Sequence, residues 1–293
     1  MFDFRYHVAS LAAVFLALII GILVGVAISD PGLADRALLE RRELEIARLH
    51  EELDSASEGS KQQDAAVQFV EEAYDAVMKE RLSGREIAVV FVGSVDDGLN
   101  SEVETALADA GAAVLRLRAL TVPIREDALQ ASLRSQAALA GYVGDDHLSD
   151  LGRDLGRELV DGGETPLWNA LGDELLEERR GRSQQEANAV VVVRSARPQG
   201  AGTARFLRGF YAGLRGSVPV VGVEASTAER SAIPVYRRAE FSSVDSIDTR
   251  VGKVALAVLL AGGARGQYGL KEQTADAPIP PIEPVEPNRD AGG

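Results

Sequence analysis

The residues of this chain best suited to hold a divalent cation are Asp145, Asp146 and His147, two carboxylates and an imidazole in consecutive positions. Oxygen and nitrogen donors of that kind suit a hard or borderline ion. The competing reading is a helix N-terminus, where acidic residues complement the dipole. Asp96 and Asp97 follow the apolar run that ends at Val92, where a doubly wound sheet opens its ligand crevice; capping of the next helix explains that pair equally well. Gly200-Ala201-Gly202-Thr203 leads from a strand into a helix. Its amides either face an anion, with Arg197 nearby, or form a glycine turn capped by Thr203. Asp245 and Asp248 stand three apart in SVDSID, and either share a proton or an ion or cap the helix that follows.

None of these sets makes a catalytic constellation. GxSxG elbows, HExxH zinc pairs and GxxxxGK phosphate loops are absent, so the chain reads as a non-enzyme without a cofactor. It has no cysteine, which removes disulfides, thiolate metal sites, iron–sulfur clusters and cysteine nucleophiles. A formal charge of −14 opposes phosphate neutralisation, so nucleic acid is not an expected partner.

These residues must be positioned by the elements around them, and the pattern divides the chain into five parts. After a short tail at 1–7, residues 8–28 read VASLAAVFLALIIGILVGVAI without a charge. A helix of that length rises about 30 Å, enough to cross the hydrocarbon of a bilayer. A cleaved signal peptide is the competitor, because Ala27 and Ser29 make a small-x-small pair, but the apolar run is long for one. Gly21 and Gly25 form a GxxxG that lets two such helices approach. Residues 34–82 carry a heptad pattern, a stalk of roughly 70 Å if continuous. Leu39, Ile46, Leu49 and Leu53 are its expected seam for a parallel homodimer. For the second half of the stalk two alternatives stay open: a continued coiled coil, or a helix that packs Val67, Val70, Tyr74 and Val77 on the following domain.

Residues 85–269 alternate β-branched runs with amphipathic stretches, which predicts a three-layer α/β/α domain with a mostly parallel sheet of about five strands or slightly more. Strands are expected at 87–92, 113–117, 140–143, 188–194, 218–223 and 241–244, and helices at 101–110, 129–139, 148–160, 203–214 and 249–260, with one more opening at Pro166. The Pro-rich tail at 270–293 is expected to be disordered or extended.

Four stretches also resemble a known family: DFRYHVASLAAVFLALIIGILVG, the heptad stalk, AVVVVRSARPQGAGTARFLRGF, and SSVDSIDTRVGKVALAVLLAGGARGQYG. Together they are similar to the actinobacterial copper-transporter family MctB. The most specific parts are the apolar opening and the SVDxxD-to-YG ending, Ser243 to Asp248 and Tyr268 to Gly269. The resemblance implies a single-pass envelope protein associated with copper efflux and resistance, its domain outside the cytoplasmic membrane, with an envelope protein as partner. The arginine count points the other way: Arg5 precedes the apolar run, whereas Arg36, Arg41, Arg42 and Arg48 follow it. Copper itself enters only through the resemblance, since copper(I) prefers sulfur and the chain offers only Met1 and Met78.

Overall fold

A computed structural model describes residues 4–28, 44–45, 48, 64–65, 67–182, 184–195, 197–216, 218–271 and 275–283. The chain forms two units, 1–62 and 63–293. In the first, a 25-residue helix, α1, runs over Phe4–Ile28. Its large apolar side chains, Phe15 and Leu23 among them, are exposed, and a Cβ added to Gly21 or Gly25 would meet nothing within 4 Å. Side chains are described only at Leu11 and at 13–25, a stretch shorter than a bilayer crossing. Among the described residues no helix is long and apolar enough to cross a membrane. The seam positions Leu39, Ile46, Leu49 and Leu53 lie outside the described residues.

The second unit opens with helical residues 67–78 (α2). Val70, Tyr74, Met78 and Leu82, one face at four-residue spacing, are buried in the core, with Val67 and Val77 partly buried beside them. Of the two alternatives for this segment, these residues take the packed one. Then follow β1 (Glu86–Val92), α3 (Asp97–Asp109), β2 (Ala113–Leu120), α4 (Glu126–Ser135), α5 (Leu148–Asp161), α6 (Pro166–Leu175), β3 (Leu176–Gly181), β4 (Ala189–Arg194), α7 (Ala201–Leu214), β5 (Val220–Val223), α8 (Ile233–Arg238), β6 (Ser242–Val244), α9 (Arg250–Leu260) and β7 (Gln267–Tyr268). The sheet has seven strands in the order β3-β2-β1-β4-β5-β6-β7. All neighbours are parallel except β2 and β3.

Both faces of the sheet are covered, and the strands show it residue by residue. Ala88, Val90 and Val92 of β1 enter a core with α4, α5, α6 and α7, whereas Ile87, Val89 and Phe91 enter the opposite core with α2, α3 and α9. Period-two alternation with both sets apolar is the signature of a central parallel strand.

Four expectations need correction. Residues 140–143 are not a strand: Ala137–Tyr142 is a 3-10 turn, and the Tyr142 hydroxyl donates to Asp154 on α5 at 2.8 Å. A four-residue apolar run has no period long enough to separate the two outcomes. β2 reaches Leu120 rather than stopping at 117, because Arg116 and Arg118 are fully buried. Their guanidiniums donate to the carbonyls of Leu159 and Gln185, and of Leu117 and Arg180. Burial, with Arg179 and Arg116 nearby, lowers Arg118 to about 10. β3 joins as an antiparallel edge although LEERRG is almost wholly polar, which suits an edge strand. Finally, residues 275–283 are not a free tail. Ala277 bridges Tyr268, the Asp276 amide donates to the Gln267 carbonyl at 2.7 Å, and Ile279 and Ile282 pack on the core.

The tyrosines make a pH prediction. Burial raises Tyr74, Tyr142, Tyr211, Tyr236 and Tyr268 above their ordinary range, Tyr142 to about 12 with Asp154 adding to the effect. In the unfolded chain these phenols ionise near pH ~10. The folded state therefore holds protons that the unfolded state has lost; the stabilisation is complete below about pH 10 and disappears as the pH climbs toward 12. Burial lowers Arg81, Arg116 and Arg118, which work in the opposite sense, but five phenols outweigh three guanidiniums. Denaturant unfolding at a series of pH values from about 9 to 12 should show stability falling throughout.

Candidate functional site

The order of the sheet places a crevice where doubly wound folds bind ligands. α3, after β1, packs on one face, and α7, after β4, on the other. Because β1 and β4 are neighbours, their following loops part and leave an opening beyond the strand ends. The opening has a volume of about 1210 Å³ and is lined by residues at or after the ends of β1, β2, β4 and β5 together with Glu177 of β3 and Asp248.

Most of the carboxylates that line it are already used. Asp96 caps α3, its Oδ1 accepting from the Leu99 amide at 2.9 Å. That is the capping alternative for the Asp96-Asp97 pair, with Asp97 in the first turn. Glu177 accepts from the Ser94 hydroxyl at 2.6 Å, and Glu102 pairs with Lys253 at 2.7 Å. Glu224, almost wholly buried at the end of β5, accepts from Lys271 Nζ at 2.8 Å and from the Ala232 amide. Asp248 accepts from the amide and the hydroxyl of Ser226. Among the described residues no histidine lines the crevice beside Ser94 and Glu177.

The glycine turn before α7 resolves differently from both of its readings. Gly200 occupies the cap position without a side-chain hydrogen bond, and Thr203 is buried inside the helix, its Oγ1 accepting from the Ile124 amide at 3.1 Å. Thr203 is therefore not the cap. The nearest atoms to the position of an added Gly202 Cβ are the carboxylate of Glu126, from the first turn of α4. The protein supplies its own anion at this helix start, where the dipole favours one.

The SVDSID segment is also structural. Thr249, not Asp245 or Asp248, caps α9, accepting from the Gly252 amide. Buried Asp245 instead holds the strand end that follows β7, its Oδ1 accepting from the Leu270 amide at 2.9 Å and from Ser246 Oγ at 2.6 Å. Gly269 lies against that carboxylate with φ +141, so a side chain there would meet both the strain of the conformation and the carboxylate itself. Aspartate and glycine, far apart in sequence, are one clasp.

Asp145, Asp146 and His147 form a 3-10 turn ahead of α5. Arg205 donates to the Asp145 carbonyl at 2.8 Å and lies 3.6 Å from Asp146, while His147 Nδ1 is 3.7 Å from Asp150. Among the described residues no group of three or more histidine, aspartate or glutamate side chains is placed to hold a metal ion. Met78, one of the two thioethers, is buried in the core.

Sequence reasoning missed Glu224, Lys271 and Glu126, although an acid directly after the buried run VVGV was a visible signal. Lys271 lay in a segment read as tail, and no local pattern pairs it with β5.

The family described as "Copper transport outer membrane protein, MctB" matches residues 1–280 of the chain. The copper transporter MctB of Mycobacterium bovis is 28% identical over 306 aligned positions, which cover 92% of this chain and 96% of that protein. The proteins of the same name from two Mycobacterium tuberculosis strains match to the same extent.

Proposed function

The chain belongs to the MctB copper-transport family, and from that premise we propose that it is a single-pass, membrane-anchored envelope protein that supports copper efflux by engaging a protein partner. α1 is the anchor in this reading. Supporting it are the 25-residue helix, about 37 Å at the usual rise, the uncharged sequence of 8–28 and the exposed apolar side chains. The α/β unit then lies outside the cytoplasmic membrane, as an envelope role requires.

The observation that carries the partner role is the doubly covered, open sheet. With helices on both faces and edges at β3 and β7, the sheet encloses no lumen through which an ion could pass. Its crevice carries oxygen and guanidinium groups, not the sulfur that copper(I) prefers. Copper is accordingly the cargo of a pathway that this protein assists, and the unit acts as a non-catalytic module.

Three measurements test the reading. Cells that lack the chain should accumulate copper and become copper-sensitive relative to matched cells that make it; unchanged copper content removes the efflux role. The full-length protein should stay with membranes through an alkaline carbonate wash, and its C-terminal unit should be cut by protease from outside the cytoplasmic membrane. Purified full chain in detergent should retain no stoichiometric copper; retention that is lost on replacing Asp145, Asp146 and His147 would establish direct handling instead.

The homodimer belongs to the same proposal. Leu49→Asp combined with Leu53→Asp places two charges in each helix of the seam, which a coiled coil cannot bury without a partner. The full chain should then run as a monomer in light scattering; a persistent dimer would rule out that seam.

A further inference from the structure

A groove of about 680 Å³ lies between α7 and α8, beside the loop that follows β4. Arg194, Arg197, Arg208, Arg215 and Arg238 line it, and among the described residues no aspartate or glutamate does. Arg208 and Tyr211 recur at helical spacing and so share one face of α7, Arg215 caps the C-terminus of that helix, and Arg238 belongs to α8. Leu207 and Val235 give the groove an apolar lining between the charges.

This concentration is out of keeping with the rest of the molecule. In a chain of formal charge −14, several arginines elsewhere meet carboxylates, as Arg153 meets Asp150, Arg157 meets Asp154 and Arg250 meets Glu71, while Arg85, Arg116 and Arg118 meet backbone carbonyls. In the groove Arg215 pairs with Glu240 at one end, and Arg194 donates to the Tyr211 hydroxyl at 2.8 Å with its guanidinium 5.9 Å from that ring. Among the described residues, the guanidiniums of Arg197, Arg208 and Arg238 have neither an ion-pair nor a hydrogen-bond partner. Like charges that line one concavity raise the local potential, and an anion there relieves their repulsion.

We propose that this groove binds a phosphate-bearing anion, either a soluble phosphate ester or the headgroup of an anionic phospholipid. The guanidinium fork matches phosphate oxygens in pairs, and one phosphate presents enough oxygens for several forks at once. Tyr211 orients Arg194 before the ligand arrives, so less side-chain freedom is lost on binding. The volume suits a small ligand or a headgroup. The site adjoins the crevice, with which it shares Arg194, Arg197, Pro198 and Gln199, whereas Arg208, Arg215 and Arg238 line the groove and not the crevice; it does not depend on copper.

The test uses the full chain in micelles of a neutral detergent at low salt. Radiolabelled pyrophosphate is followed by equilibrium dialysis, and dioctanoyl phosphatidylglycerol is titrated in parallel. The paired variant R208Q/R238Q removes two exposed groove charges, and R153Q/R157Q removes two from α5. Saturable binding should weaken at least about tenfold in the groove variant and less than about threefold in the control, with melting temperatures unchanged. Preference for pyrophosphate supports a soluble ester, and preference for phosphatidylglycerol supports a lipid headgroup. Absence of saturable binding for both probes, or equal loss in both variants, overturns the proposal.

Discussion

Gly209→Ala will destabilise the protein by about 2–3 kcal/mol and lower its melting temperature by roughly 5–10 °C, although the same change in an open helix would stabilise it. α5 carries Gly152 and Gly156, and α7 carries Gly209 and Gly213, each pair four residues apart. The four glycines pack backbone to backbone. A Cβ on Gly209 would collide with the Ser149 carbonyl, on Gly213 with that of Arg153, on Gly152 with that of Phe206, and on Gly156 with that of Phe210. No flexible side chain is available to move aside, so the helices must separate, and separation at one glycine lifts the other three. Against this, alanine gains about 1 kcal/mol over glycine in helix propensity. The collision wins because rigid carbonyls have no alternative rotamer. Gly172 on α6 is the control: a Cβ there would lie 3.9 Å from Leu176, at ordinary contact distance. Gly172→Ala should therefore stabilise by up to about 1 kcal/mol. Should both variants shift in the same direction, the reciprocal contact does not control the crossing.

Lys271→Met should cost about 3–5 kcal/mol, the usual penalty for leaving one member of a buried ion pair alone. Glu224 is 3% exposed, and besides Lys271 Nζ its carboxylate accepts from the Ala232 amide. The same lysine donates to the Ala225 carbonyl at 2.9 Å, so it also ties the loop after β5 to the strand end beyond β7. Glu224→Gln combined with Lys271→Met removes both charges and keeps an acceptor for Ala232. The double variant should recover more than half of the loss in denaturant unfolding, with the coupling read from the cycle of four proteins. Additive losses would mean that Lys271 acts through its aliphatic stem rather than through its charge. Hydrogen exchange on Gln267 and Leu270 should rise in the single variant, because the Asp245 clasp lies on the same strand end.

What the chain declares locally proved readable. The β1 and β4 runs, IAVVFV and AVVVVR, are apolar at every central position, which only burial on both faces accounts for. Pro166 starts α6 for reasons contained within four residues of it, whereas Asp96, open to two readings in the sequence, takes the capping one, with α3 starting at Asp97 rather than at 101. Polar strands were hidden. LEERRG has no pattern of its own and becomes β3 because β2 offers a free edge. Arg116 and Arg118 look like solvent positions until carbonyls from α5, β3 and the 184–188 loop come within reach. At two residues, β7 is too short for any periodicity to register.

The candidate site divides in the same way. Sequence alone determined the donors: no thiolate, two thioethers, and oxygen and nitrogen groups in acidic loops. It also determined the apolar segment at 8–28, the α/β class and the glycines of α5 and α7, because composition and short-range spacing are properties of the chain itself. Tertiary structure decided which of these groups remain available. Asp245, Asp248 and Glu224 meet partners 22 to 47 positions away, and Glu126 reaches α7 across the fold. A carboxylate's chemistry depends on what lies within hydrogen-bond reach, and for these residues that neighbourhood exists only after the strands have been laid side by side.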